Sequence, residues 1–236
     1  MSQQSLTLAA GHSIPYTLKT SARRRTIGLR VDERGLTVHI PKRVPQHTLE
    51  SLLRDKSDWI ARKLAEWQYR PKSVEWQDGA TLQYLGQDIQ LSLRHDTRNR
   101  AVEFDSARLY LALPNPNDTK TVQRKVAQWY AKQALADFTR RIELLAAKLG
   151  VPTPPMYLSN ARTRWGSCNS RGEIRLHWRL IQAPPHIIHY VVAHEIAHLK
   201  EMNHSPKFWA WVEKLCPDYS TARQDLKALS AQLHLL

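Results

Sequence analysis

The residues best suited to chemistry lie in one short stretch, His194-Glu195-Ile196-Ala197-His198, which reads HExxH. On a helix, His194 and His198 are four residues apart and project from one face. Two imidazoles so placed can share one Zn²⁺ at roughly 2.0–2.1 Å each. Glu195 lies about 100° round from His194, beside such an ion rather than on it. That position suits a general base that takes a proton from the attacking water. A catalytic zinc usually takes three protein ligands and leaves a fourth position open. His204 follows His198 at the spacing of the longer HExxHxxGxxH pattern and is the favoured third ligand; Glu213 is the alternative. The pattern's glycine is replaced by Glu201, so Asn203 is the residue expected to take the left-handed conformation that returns the chain.

These side chains need a helix to hold them. Pro184 and Pro185 suit its start, where a missing N–H costs nothing. Ile187 and Val191 share a stripe with the histidine pair, and Ile188, Val192 and Leu199 lie beside Glu195. His186, His189 and Lys200 fall opposite, so the spacing predicts an amphipathic helix. Asn203 or Ser205 can cap a short helix bearing Phe208, Trp209 and Trp211, aromatics expected to wall the site. Pro217 opens a last helix containing Leu226 and Leu229.

Ahead of the site, residues 173–180 alternate. Ile174, Leu176, Trp178 and Leu180 face one way; Glu173, Arg175, His177 and Arg179 face the other. This predicts a half-buried strand able to pair with an extended substrate. Five arginines within residues 162–179 suit a carboxylate or phosphate, or a solvated surface. Tyr190, Arg162, Arg164 and His177 are candidates for steadying an oxyanion. Glu173, Glu201, Glu213 and Asp218 are candidates to accept the ligands' free N–H groups. Cys168 reads as a small buried thiol.

The N-terminal half is β-rich. Ile27, Leu29 and Val31, then Leu36, Val38 and Ile40, alternate as a hairpin does. One helix is expected over 46–68, then strands near 82–85, 89–93, 102–104 and 109–113. Pro114 to Asp118 breaks the pattern and marks the expected boundary between a region 1–115 and a domain 116–236. A helix capped by Asn117 or Asp118 then runs to Leu149 and stops at Gly150. No internal repeat is evident.

The chain has 236 residues, of which 42% are hydrophobic, enough for an ordinary core. No run approaches the ~20 apolar residues of a membrane span. The first residues lack a basic segment followed by a long apolar one, so no secretory signal is predicted and the cytoplasm is the expected location. The two cysteines, Cys168 and Cys216, imply no disulfide scaffold. The net charge of +14 is spread along the chain without a basic tail, so nucleic acid is not the favoured partner.

Four segments together resemble the YgjP-like zinc metallopeptidases, relatives of the SprT-like zincins. They are Arg164-Trp165-Gly166-Ser167-Cys168, Gly172-Glu173-Ile174-Arg175-Leu176, the HEIAH motif, and Asn203-His204-Ser205-Pro206 with Phe208-Trp209. The resemblance implies an α+β fold whose C-terminal part is zincin-like and carries the HExxH helix, after a β-rich N-terminal part. It implies Zn²⁺ held by His194, His198 and His204, with Glu195 catalytic, acting on a peptide or protein. His177 departs from it, standing where the family is expected to carry Asn. Two other readings keep the same apparatus: hydrolysis of a phosphate-containing substrate such as a nucleotide, and a DNA-associated protease. No signal of oligomeric state is present.

Overall fold

The computed structural model describes residues 2–7, 13–32, 35–68, 74–97, 102–161 and 163–236. By internal contacts the chain forms two compact units, Met1–Pro71 and Lys72–Leu236. The break at Pro114 to Asp118 lies inside the second unit, where a strand turns into a helix. The fold is α+β.

In the first unit, β1 (Ser2–Thr7), β2 (Ser13–Ser21), β3 (Gly28–Asp32) and β4 (Gly35–Pro41) form one sheet in the order β1-β2-β4-β3. β2 and β4 run parallel. β3 and β4 are the expected antiparallel hairpin, with Leu29 opposite Val38 and Val31 opposite Leu36. Tyr16, Leu36, Val38 and Ile40 of the sheet share a core with Leu49, Leu53 and Ile60. These come from α1 (Gln46–Asp55) and α2 (Ser57–Gln68). One helix was expected here. Lys56, at φ −100° and ψ 8°, interrupts it without a glycine or proline to signal the break.

The second unit opens with β5 (Thr81–Tyr84), β6 (Gln87–His95), β7 (Val102–Phe104) and β8 (Arg108–Leu113), close to the expected spans. Their order is β5-β6-β8-β7, and the inner pair is again parallel. The two sheets thus share strand order and sense, although the sequence shows no repeat. α3 (Thr119–Leu149) follows. The Asp118 side chain caps it by accepting from the Thr121 N–H at 3.2 Å, and Gly150, at φ 70°, ends it.

A three-stranded sheet comes next, from β9 (Met156–Ser159), β10 (Gly166–Cys168) and β11 (Ile174–His177), in the order β10-β11-β9. The expected strand over 173–180 is shorter. It ends at His177, and Trp178–Gln182 form a 3₁₀ helix. His177 therefore turns inward and is only 1% exposed, against the outward position that alternation predicts. Its Nδ1 accepts the Arg179 N–H at 3.1 Å, which caps the 3₁₀ turn.

Three helices complete the unit: α4 (Pro185–Ala197), α5 (Pro206–Leu215) and α6 (Tyr219–Leu233). α4 touches α3, α5, α6, β10 and β11. A helix packed on so many sides is apolar nearly all round, and Ile187, Ile188, Val192, Ala193, Ile196 and Ala197 are each fully buried. The polar face expected for α4 is correspondingly reduced. His186 is exposed and pairs with Asp225 at 2.9 Å, but the half-buried His189 ring bonds the Leu215 carbonyl of α5 at 3.2 Å.

Two anchors fix the start of α4. Gly86, at φ +77°, donates its N–H to the Gln182 carbonyl at 2.9 Å, and a Cβ there would stand 2.8 Å from Pro184. Only glycine fits both the dihedral and the approach. Arg141 of α3 bonds Asp137 at 2.6 Å and the Pro185 carbonyl at 3.3 Å. Among the described residues no helix is long and apolar enough to cross a membrane.

Candidate metal centre

His194 and Glu195 stand on the last turn of α4, and His198 caps it. The chain then tightens through bonds from the Lys200 and Glu201 N–H groups to the Ala197 carbonyl. Asn203 does not take the left-handed conformation expected of it: among the described residues only Leu85 and Ser106 do so outside glycine. Its side chain instead accepts the Ser205 N–H at 2.9 Å, an Asx turn that reverses the chain locally. Ser205 then caps α5 by accepting the Phe208 N–H at 3.4 Å. This pair of short-range bonds carries His204 back toward the helix it left.

The result is a convergence of three imidazoles. Ligand atoms of His194, His198 and His204 all lie within 4.8 Å of one another. The Nε2 atoms of His194 and His204 are 3.1 Å apart. His198 bonds the Glu201 carbonyl through Nδ1 at 3.1 Å, which leaves Nε2 to face the cluster. The alternative third ligand, Glu213, is exposed on α5 and outside the cluster. The acceptor for His198 is thus the backbone of Glu201, not any of the four carboxylates considered. Glu173 is engaged with Asn169 at 2.8 Å.

Burial governs the charge state of His194 and His198. Burial lowers His194 to about 3, and the neighbouring charges of His198, His204 and Arg223 push the same way. His198 is lowered by burial as well. His194 and His198 are therefore suited to stay neutral, with lone pairs available to a metal. Among the described residues the buried Nδ1 of His194 finds no hydrogen-bond partner.

Phe208 forms the floor. It is fully buried, and its ring centroid lies 4.9 Å from His194, 4.5 Å from His198 and 4.7 Å from His204. Trp209 adds a wall, 5.8 Å from His194 and 6.0 Å from His204. Trp211, expected to join them, instead carries Lys214 over its ring at 5.3 Å.

Glu195 is 5% exposed and lies against β10. A Cβ built on Gly166 would stand 2.7 Å from both Cγ and Cδ of Glu195, so the carboxylate packs on bare backbone. Burial pushes Glu195 up to about 8, and the charge of Arg164 opposes that rise. Trp165, next to Gly166, is clamped by α6: its Nε1 donates to Ser230 at 3.0 Å, and its ring stacks on His234 at 4.4 Å.

The other expected residues separate. Tyr190 is one turn before His194 and 6.0 Å from it ring to ring. His177 packs with Trp165, Trp178 and His234 instead of joining the cluster. Arg162 lies outside the described residues. Arg175 covers Tyr157 at 5.0 Å. Arg179 is bound to Asn160 and the Leu236 carbonyl, the latter at 2.8 Å through Nε. Burial, and then the charge of Glu195, push the Cys168 thiol up to about 11. It is thus a protonated thiol, half-buried where a buried one was expected.

Residues 25–229 match the family described as YgjP-like, metallopeptidase domain. Among curated proteins none matches the chain. Two solved structures are similar over a limited part. The metallopeptidase zymogen abylysin of Pyrococcus abyssi shares 23% identity at TM-score 0.37, covering 39% of this chain and 95% of its own. The metallopeptidase zymogen jannalysin of Methanocaldococcus jannaschii shares 17% at TM-score 0.33, covering 38% and 96%.

Proposed function

The chain belongs to the YgjP-like metallopeptidase family, and from that premise we propose that it is a zinc-dependent endopeptidase. In this reading His194, His198 and His204 hold the ion and Glu195 handles the proton. The observation that carries it is the convergence of the three imidazoles beside a buried carboxylate.

The residues fit the metal. Two ligands of a tetrahedral Zn²⁺ stand roughly 3.3 Å apart, given bonds of 2.0–2.1 Å. His194 and His204 are separated by 3.1 Å. An all-imidazole set suits zinc better than magnesium or calcium, which take oxygen. When bound, Zn²⁺ supplies a charge that polarises a carbonyl, makes water a nucleophile near neutral pH and draws Glu195 toward its ionised form.

Glu195 then takes the proton of the attacking water on a carboxylate oxygen and passes it to the leaving nitrogen. Gly166 and the clamped Trp165 hold that carboxylate in place. Phe208 excludes water from beneath the histidines, which strengthens every charge interaction among them. β10 is an outer strand of its sheet and abuts Glu195. An extended peptide can add to that edge by main-chain hydrogen bonds. β11 is flanked on both sides, so the pairing expected of residues 173–180 passes to β10. Tyr190, one turn from His194, is the side chain to which this reading gives the oxyanion.

The test is turnover of a peptide library by zinc-loaded protein beside Glu195→Gln, with a nucleotide panel in parallel. Peptide cleavage that falls by roughly 10²- to 10⁴-fold in the variant supports the reading. Equal cleavage by both proteins, or nucleotide turnover alone, contradicts it.

A further inference from the structure

We propose that Arg223 and Trp209 form a carboxylate-binding subsite beside the three histidines, so that the preferred substrate carries a negative charge there. This rests on the peptidase reading and names the substrate class of the same site.

Arg223 and Tyr219 lie one turn apart on α6. Tyr219 stacks on Trp209 at 5.3 Å and 22° between planes. The Arg223 guanidinium lies over the same indole, with Cζ 5.1 Å from the ring centroid. Trp209 in turn borders His194 and His204. The arginine is therefore held at the rim of the centre by an aromatic face. A cation–π contact uses no N–H donor in a hydrogen bond to the ring's partner groups, so a guanidinium so held can still take a bidentate acceptor.

Four other arginines are held by carboxylates: Arg30 by Asp32, Arg54 by Glu50, and Arg140 and Arg141 by Asp137. Among the described residues Arg223 has no such ion pair. Asp225, two residues along, is engaged with His186. The side chain is exposed, so its N–H groups are open to a ligand at the rim. A guanidinium held on Trp209 beside the histidines attracts an anion and repels a basic side chain. The required group is planar and singly charged: a Glu or Asp side chain near the scissile bond, or a free C-terminal carboxylate.

The test uses matched peptides of one core sequence, with Glu or Gln flanking the scissile bond and with a free or amidated C-terminus. kcat/KM is measured for wild type, Arg223→Gln and Arg223→Lys. Affinity is measured by calorimetry on zinc-loaded Glu195→Gln with and without Arg223→Gln. Wild type should favour a carboxylate peptide roughly tenfold or more, the worth of a charge-assisted pair. Arg223→Gln should bring that ratio close to one, and Arg223→Lys should retain part of it. Sensitivity to Glu→Gln identifies a side chain as the ligand; sensitivity to amidation identifies the C-terminus. No preference in wild type, or the same preference in Arg223→Gln, overturns the subsite. If no peptide is cleaved, the endopeptidase reading falls by itself. The calorimetry then decides: a preference for carboxylate peptides that depends on Arg223 supports the subsite, and equal binding overturns it.

Discussion

The Glu195 carboxylate rests on Gly166, so closely that a single added methyl would lie 2.7 Å from its Cγ and Cδ. The base proposed for catalysis is thus positioned by an absent side chain on a neighbouring strand. Gly166→Ala should displace Glu195 while leaving the three histidines in place. Turnover should fall by roughly 10²-fold with metal content unchanged, because misplaced groups lose that much rate. Metal analysis beside kcat checks it; unchanged kcat refutes it.

Phe208 touches all three imidazoles and is wholly buried. Phe208→Ala should cost about 3–5 kcal/mol of stability by opening a cavity. Phe208→Leu should fold and bind Zn²⁺ about tenfold more weakly, since the rings lose their common support. Chelator competition measures the affinity and thermal unfolding the stability.

A pH dependence follows from Glu195 in the metal-free protein. Its folded pKa is raised to about 8, chiefly by burial, from an ordinary value of 4.5. The folded state therefore holds the proton more tightly than the unfolded chain. The stability it contributes is present in full below pH 4.5 and is lost as pH rises through about 8. Glu195→Gln has no proton to lose. At pH 9 the chelated variant should exceed chelated wild type by on the order of a few kcal/mol. The gap should vanish near pH 4, as denaturant titration at both pH values will show.

His177 gives the opposite slope. Burial, then the charges of His234 and Arg179, lower it to about 4 from 6.5. The stability it contributes is present above pH 6.5 and lost as pH falls through about 4. His177→Asn keeps an acceptor for the Arg179 N–H and removes the titration. It should flatten the acid limb of the stability profile by on the order of 2 kcal/mol. An unchanged acid limb contradicts the assignment.

The parts legible in the sequence were those with local signals. HExxH and the six-residue step to His204 point to residues that one helix and one turn bring together. Strands near 82–85 and 109–113 show in alternation, and α3 in its cap at Asp118 and stop at Gly150. Relationships across the chain left no such mark. Apolar residues keep alternating through Trp178 and Leu180, although the strand stops at His177, because a 3₁₀ turn can bury the same side chains. His189 looks polar until α5 supplies the Leu215 carbonyl. Asn203 had two ways to turn the chain, and only the neighbouring Ser205 N–H decides between them. Gly166 on Glu195, Phe208 under three rings and Arg223 over Trp209 each join separate elements. The shared order of the two four-stranded sheets lies in hydrogen bonding, which unlike sequences can reproduce.

The central claim is that His194, His198 and His204 together hold one divalent ion. Its most direct test is zinc stoichiometry and affinity, by elemental analysis and chelator competition, for wild type beside His204→Ala. The account predicts one zinc per wild-type chain and an affinity at least a hundredfold weaker in the variant. Zinc held at full affinity without His204, or none in the wild type, would contradict it.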